Sequence, residues 1–295
     1  MKTILFLFMI LFGFVGFTQE NVKNQIRNLN VDDWVVTDAL GRQLPSYEEC
    51  GPVKEDRFVG MFYFMTHTNT GGKGPFDVTK IMKADPDNPQ WGEGSHFWGE
   101  PETGYYLSYE KWMIRRHAQL LSDAGVDVII FDVTNDRTYP EVYLSVCEVF
   151  SAMRRQGEKT PQVSFLGSEI SVNTLWNEFY KEGLFTDLWF HWKGKPLLLF
   201  GQHEIPSRKK NNDVVFSDEI KDFFSIYQSC PYGKDKWPWV DHYPQSVGWH
   251  ESPDRAEMVP VAVAQHPLSN IGRSFHNYNQ PQANKYDLTP FTDHG

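Results

Sequence analysis

Polar side chains able to do chemistry recur just behind apolar runs. Asp132 closes VDVIIFD with Asn135 close behind, and Glu169 follows VSFLGS. His203 follows PLLLFGQ, Asp241, His242 and Tyr243 follow WPWV, and Gln265 and His266 follow VPVAVA. If each run is a buried parallel strand, these groups collect at the carboxyl ends, where barrel enzymes build their sites. Two carboxylates flanking a glycosidic bond suffice to hydrolyse it, and their separation sets the stereochemistry. Asp132, Glu169 and Asp241 are therefore the candidate catalytic acids. Asn135, His203, His242, Tyr243, Gln265 and His266 suit recognition of hydroxyl groups. Each has a plainer reading. Asp132 can bond its own turn, Glu169 can complement a helix dipole, and the histidines can be solvated or core residues.

Aromatic residues make up 15% of the chain, with ten Trp, and many of the Trp sit in Gly- or Pro-rich loops rather than apolar runs. Sugar C–H faces pack on such rings. Trp98, Tyr105, Tyr106, Trp237, Trp239 and Trp249 are the stacking candidates, the alternative for each being ordinary packing under a loop. Glu100 and Glu102, in FWGEPETGYY, precede a helix and suit hydroxyl binding or loop shaping more than proton transfer. No HExxH, CxxC or tight His/Asp cluster appears, so neither a metal site nor a cofactor is expected. GxSxG, Walker and dinucleotide patterns are also absent, which sets aside acyl transfer, nucleotide hydrolysis and hydride transfer.

The elements that must position these groups alternate. Strands are expected at Phe58–Met65, Asp127–Asp132, Gln162–Leu166, Pro196–Phe200, Trp237–Tyr243 and Val259–Ala264. Helices are expected from Ser108 to Asp123, from Pro140 to about Gln156, from Asn173 to Lys181 and from Ser217 to Gln228. The first should pack through Trp112, Leu120, Leu121 and Ala124. The fold class is α/β, a (β/α)8 TIM-type barrel that reads as truncated after about six strands. Residues 19–56 form a polar leader expected to wrap the barrel domain of residues 57–295. Residues 1–18, with Lys2 before an apolar run from Ile4 to Phe17, form a signal peptide. A secreted or periplasmic protein without a membrane span after cleavage is the expectation. Lys2 is the only charge lost, so the net charge moves from −10 to −11. That sign disfavours nucleic acid as partner. Three sparse cysteines form no disulfide framework, and Cys147, in VYLSVCEVF, reads as a buried thiol.

The block GYYLSYEKWMIRRHAQLLSDAGVDVIIFDVTN resembles the early barrel unit of glycoside hydrolase family 99 and the related family 71. The resemblance rests on Gly104, Tyr105, Tyr106, His117, Leu121, Ala124, Gly125 and Asp132. It implies a (β/α)8 barrel acting on a carbohydrate substrate, often an α-linked glycan, with catalytic acids late in a Trp-Asn-Glu-Trp-like motif, which the resemblance places beyond Gly295. Trp176-Asn177-Glu178-Phe179 is similar to that motif in letters only. It falls after the third strand, within a helical apolar spacing that turns Glu178 outward. The strand-end cluster here is Asp132-Val133-Thr134-Asn135, where the family has a Ser-Trp-Tyr-like set. The resemblance therefore implies a glycoside hydrolase in which Asp132 binds and orients sugar; the alternative reading is a non-catalytic glycan-binding barrel.

Overall fold

The computed structural model describes residues 37, 39–52, 54–68, 76, 77, 80, 83–85, 96, 97, 100–201, 216–230, 236–239 and 247–261. The chain divides into two compact units, Met1–Asp56 and Arg57–Gly295. In the first, Thr37 and Gln43 form an antiparallel bridge. Helix α1, Tyr47–Cys50, follows Ser46, whose N–H donates to Glu49 Oε2 at 2.7 Å.

The second unit is built on one sheet. Its parallel strands are β1 (Gly60–Tyr63), β4 (Val128–Val133), β5 (Gln162–Gly167), β7 (Lys195–Gly201), β8 (Ser225–Cys230) and β9 (Trp237–Pro238). Neighbours in the sheet are neighbours in chain order, so there is no reversal point of the doubly wound kind. A short strand β6, His191–Trp192, turns antiparallel onto the start of β7. A separate parallel ladder joins β2 (Phe76–Asp77) to β3 (His96–Phe97). The six parallel strands curl into a half-barrel: the Phe62 ring on the first meets Trp239, just past the last, at 5.8 Å.

Alternation along each strand sorts residues to two faces. Val128, Leu166, Leu197, Leu199, Tyr227 and Trp237 are buried on the concave face. Ile129, Phe131, Val133, Val163, Phe165, Leu198 and Phe200 face the helices. The convex layer consists of α2 (Lys111–Asp123), α3 (Pro140–Arg155), α4 (Glu169–Leu175) and α5 (Asp218–Phe223). Pro140 opens α3 at its first position, where the missing N–H costs nothing. Gly125, at φ +73°, ends the turn behind α2. Cys147 is a buried free thiol in α3.

Several elements differ from the sequence expectations. Helix α2 starts at Lys111 behind Glu110, not at Ser108, because Ser108 is buried with its N–H on the His67 carbonyl. Its buried face is Met113, Ile114 and Ala118, while Trp112 and Leu120 are exposed. The segment expected as a helix from Ser217 to Gln228 is helical only through Phe223. From Ser225 it is strand β8, because the edge of β7 offers a ladder from Leu197↔Ser225 to Gly201↔Ser229. The helix expected at 173–181 begins at Glu169 and widens to a π-helical turn, Trp176–Tyr180. Glu178 is exposed there and Phe179 buried, as the apolar spacing implied. Of Trp237–Tyr243, only Trp237–Pro238 pairs as strand, and 240–246 lie outside the described residues. Of the expected strand at 259–264, residues 259–261 carry no strand pairing, and 262–264 lie outside. Met258, just before it, bridges antiparallel to Gly248.

Candidate functional site at the carboxyl ends of β4 and β5

Asp132 is the next-to-last residue of β4 and shares its parity with Val128 and Ile130, which places it on the concave face. Its register row runs Asp132↔Leu166, Leu166↔Leu199 and Leu199↔Tyr227. It is thus a half-buried carboxylate in a row otherwise filled by large, mainly apolar side chains. Asp132 Oδ1 accepts the Thr134 N–H at 3.0 Å and the Thr134 hydroxyl at 2.7 Å. Oδ2 has no hydrogen bond among the described residues. Gly201, facing from β7, leaves room for this clamp, since a Cβ there would come within 3.2 Å of Thr134 Cγ2.

The loop beyond Thr134 is locked by side chains. Asn135 Nδ2 donates to the Tyr139 hydroxyl at 2.6 Å, and Asn135 Oδ1 accepts the Arg137 N–H at 3.3 Å. Asp136 and Tyr139 adopt left-handed backbone, φ 67° and 51°. Residues other than glycine rarely do so unless surrounding contacts hold them. For Asp136 the contact comes from the next strand: the Ser168 hydroxyl donates to Asp136 Oδ1 at 2.5 Å.

Ser168 also caps α4, accepting from Ser171 N while its own N–H donates to Ser171 Oγ, a reciprocal capping box. Glu169 is the first residue of α4 and is exposed, where an acid complements the helix dipole. The ends of β4 and β5 therefore bring together Asp132, Thr134, Asn135, Asp136, Ser168 and Glu169. Sequence reasoning missed Asp136 and Ser168. The signals were an Asp directly after Asn135, which tolerates left-handed backbone, and a Ser three residues before another Ser at a helix start.

The other candidates divide into separate groups. Glu100 pairs with Lys80 at 3.3 Å, and Lys80 lies 5.2 Å over the Tyr105 ring while the Tyr105 hydroxyl donates to Asp77. Tyr106 points elsewhere, its ring 5.6 Å from His117, and burial raises its hydroxyl. His117 Nδ1 meets the Tyr63 hydroxyl at 2.9 Å, tying α2 to β1. Burial, with Arg116 beside it, holds that imidazole below its ordinary value.

Trp237 is core rather than a sugar platform, at 7% exposure with one face on Tyr227, ring centroids 4.5 Å apart. Trp239 is half-buried against Phe62, and Trp249 is half-buried with its N–H on the Lys236 carbonyl. Trp98, His203, Asp241, His242, Tyr243, Gln265 and His266 lie outside the described residues.

A second polar cluster has no counterpart in the sequence reading. Glu257 Oε2 accepts from Trp237 Nε1 at 2.8 Å and from His250 Nδ1 at 3.0 Å, while Lys193 stands 3.5 Å from Oε1. Burial works to raise this carboxyl. The bonds from Trp237 and His250, with the Lys193 charge, outweigh burial and hold it below the usual carboxylate range. His250 Nε2 reaches the backbone of Gln228 on β8. These bonds pin the segment carrying His250 and Glu257 to β8 and β9.

Among the described residues no group of His, Cys, Asp and Glu has the arrangement of a metal site, and no helix is long and apolar enough to cross a membrane. No protein-family model, curated protein or solved structure matches the chain.

Proposed function

We propose that this chain is a secreted glycoside hydrolase of (β/α)8 type that takes a glycan across the carboxyl ends of its strands. The observation that carries the reading is Asp132, a carboxylate held through Oδ1 by Thr134, with no bond at Oδ2 among the described residues, in an otherwise bulky row of the concave face. A carboxylate oxygen so placed can accept hydrogen bonds from sugar hydroxyls, and fixed acceptors of this kind orient a ligand in a largely apolar pocket. Asn135, on the loop behind β4, and Glu169, at the start of α4, extend the polar rim. The resemblance to families 99 and 71 supports an α-linked substrate, and Lys2 with Ile4–Phe17 supports export. The clamp on Oδ1 favours orientation over proton transfer, which gives weight to a second reading, a glycan-binding barrel without turnover.

The test is sugar release by the purified protein from a panel of α- and β-linked polysaccharides. The proposal expects release from at least one polymer. Asp132→Asn keeps the bonds to Thr134 but removes the charge, and is expected to lower kcat/KM about 10–100-fold, as for a hydrogen bond to a charged group, with an unchanged circular dichroism spectrum. Retention on a polymer without release selects the binding reading. Full turnover by Asp132→Asn would show that the site is elsewhere, and neither release nor retention on any polymer would overturn both readings.

A further inference from the structure

The loop from Thr134 to Tyr139 is more tightly determined than a connection requires. Two of its residues are held in left-handed backbone. Asn135 ties its start to the Tyr139 ring hydroxyl, and Ser168 reaches from the neighbouring strand end to hold Asp136. What this scaffold presents is Arg137. The residue is exposed, its guanidinium carbon lies 5.9 Å from the centroid of the Tyr139 ring, and its backbone N–H is anchored on Asn135 Oδ1. It forms no ion pair among the described residues, and the aspartate that directly precedes it accepts from Ser168. Other cations of the second unit are paired, Lys111 with Glu148, Arg115 with Glu158, Arg116 with Glu102, Lys193 with Glu251 and Glu257, and Arg255 with Glu251, while Arg155, Lys159 and Lys195 share with Arg137 the lack of an ion pair among the described residues but not its ring brace. A chain of net charge −10 has ample acid to pair one more arginine.

We infer that Arg137, braced on Tyr139, is the specificity residue of the site and selects an acidic sugar, one that carries a carboxylate or a sulfate ester. A planar guanidinium offers the paired donors that match two oxygens of either group, and an arginine laid on an aromatic ring forms those bonds with little further loss of freedom. The inference rests on the proposed glycan site at Asp132, which lies on the same β4 connection. Asp132 accepts from hydroxyls, whereas Arg137 reads the charge.

The experiment compares matched polymers that differ only in charge, by affinity electrophoresis of the full chain. Polygalacturonate is set against its methyl ester for the carboxylate, and dextran sulfate against dextran for the sulfate. The charged member of at least one pair is expected to retard the wild-type protein more, and the pair that discriminates identifies the anion. Arg137→Gln is expected to lower affinity for the charged member about three- to fivefold, as for an exposed charge pair, and to leave the neutral member unaffected. Arg137→Lys should keep part of the difference. Equal retardation within both pairs, or a preference that survives Arg137→Gln, overturns the inference and leaves the glycan reading standing. Retardation by none of the four also overturns it, while the polysaccharide panel decides the glycan reading separately.

Discussion

At the scale of single residues, the most informative histidine is not at a strand end. His117, on α2, is bonded to Tyr63 of β1, and burial with Arg116 beside it holds its imidazole below the ordinary value. Because its folded-state value lies below the unfolded 6.5, the unfolded chain binds its proton first as pH drops. The stabilisation is therefore complete above about pH 6.5 and is lost as pH falls below it. Glu257 acts in the same direction in a lower window: its depressed carboxyl stabilises above the unfolded 4.5 and ceases to do so as pH falls through the folded value. Urea midpoints are expected to decline from pH 7.5 to 5.5. His117→Asn, which places an amide oxygen near the position of Nδ1, should cost about 1 kcal/mol at pH 7.5 and flatten that decline. A variant with an unaltered slope would remove His117 from the account.

At the scale of elements, the junction of β5 and α4 leaves no room for a side chain at its glycine. A Cβ at Gly167 would stand 2.8 Å from Val172 Cγ2 and 3.0 Å from Ser171 Oγ, so α4 can seat on the strand end only because residue 167 has no side chain. Gly125 presents the opposite situation, with open space around it but a φ of +73°. Gly167→Ala is expected to cost about 1–3 kcal/mol through overpacking, and Gly125→Ala about 1 kcal/mol through backbone conformation alone. Denaturant unfolding measures both. Only Gly167→Ala should also disturb the neighbouring Ser168–Asp136 contact, and with it binding at the rim.

At the scale of the whole second unit, the two faces of the half-barrel have different duties. The helix-facing side holds the larger cluster, in which the Phe165 ring meets Phe131 at 5.1 Å, Tyr143 at 5.6 Å and Phe179 at 5.8 Å. Burial there pushes the Tyr143 hydroxyl up to about 12. Phe165→Ala removes a fully buried ring and is expected to cost about 3–5 kcal/mol, read as a fall in urea midpoint. Asp132→Asn, on the concave face, should leave that midpoint nearly unchanged. Such a division would place stability on the convex layer and ligand chemistry on the concave rim.

Much of the architecture is legible in the amino-acid sequence. The consecutive apolar positions of VDVIIFD and VSFLG announce strands buried on both faces, and Pro140 and Gly125 mark helix limits through backbone restrictions that act locally. Asp132 was found because a carboxylate behind such a run stands out in one dimension. Strand β8 was not, because Ser225–Cys230 carries no strong period of its own and is extended only by the unpaired edge of β7. The same holds for the Ser168–Asp136 bond and for the burial of Trp237. Local chemistry along the chain determined which segments are strands and which residues end them. Pairing partners, the side each ring faces and which carboxylate oxygen stays open were decided by tertiary contacts, since each depends on groups distant in sequence.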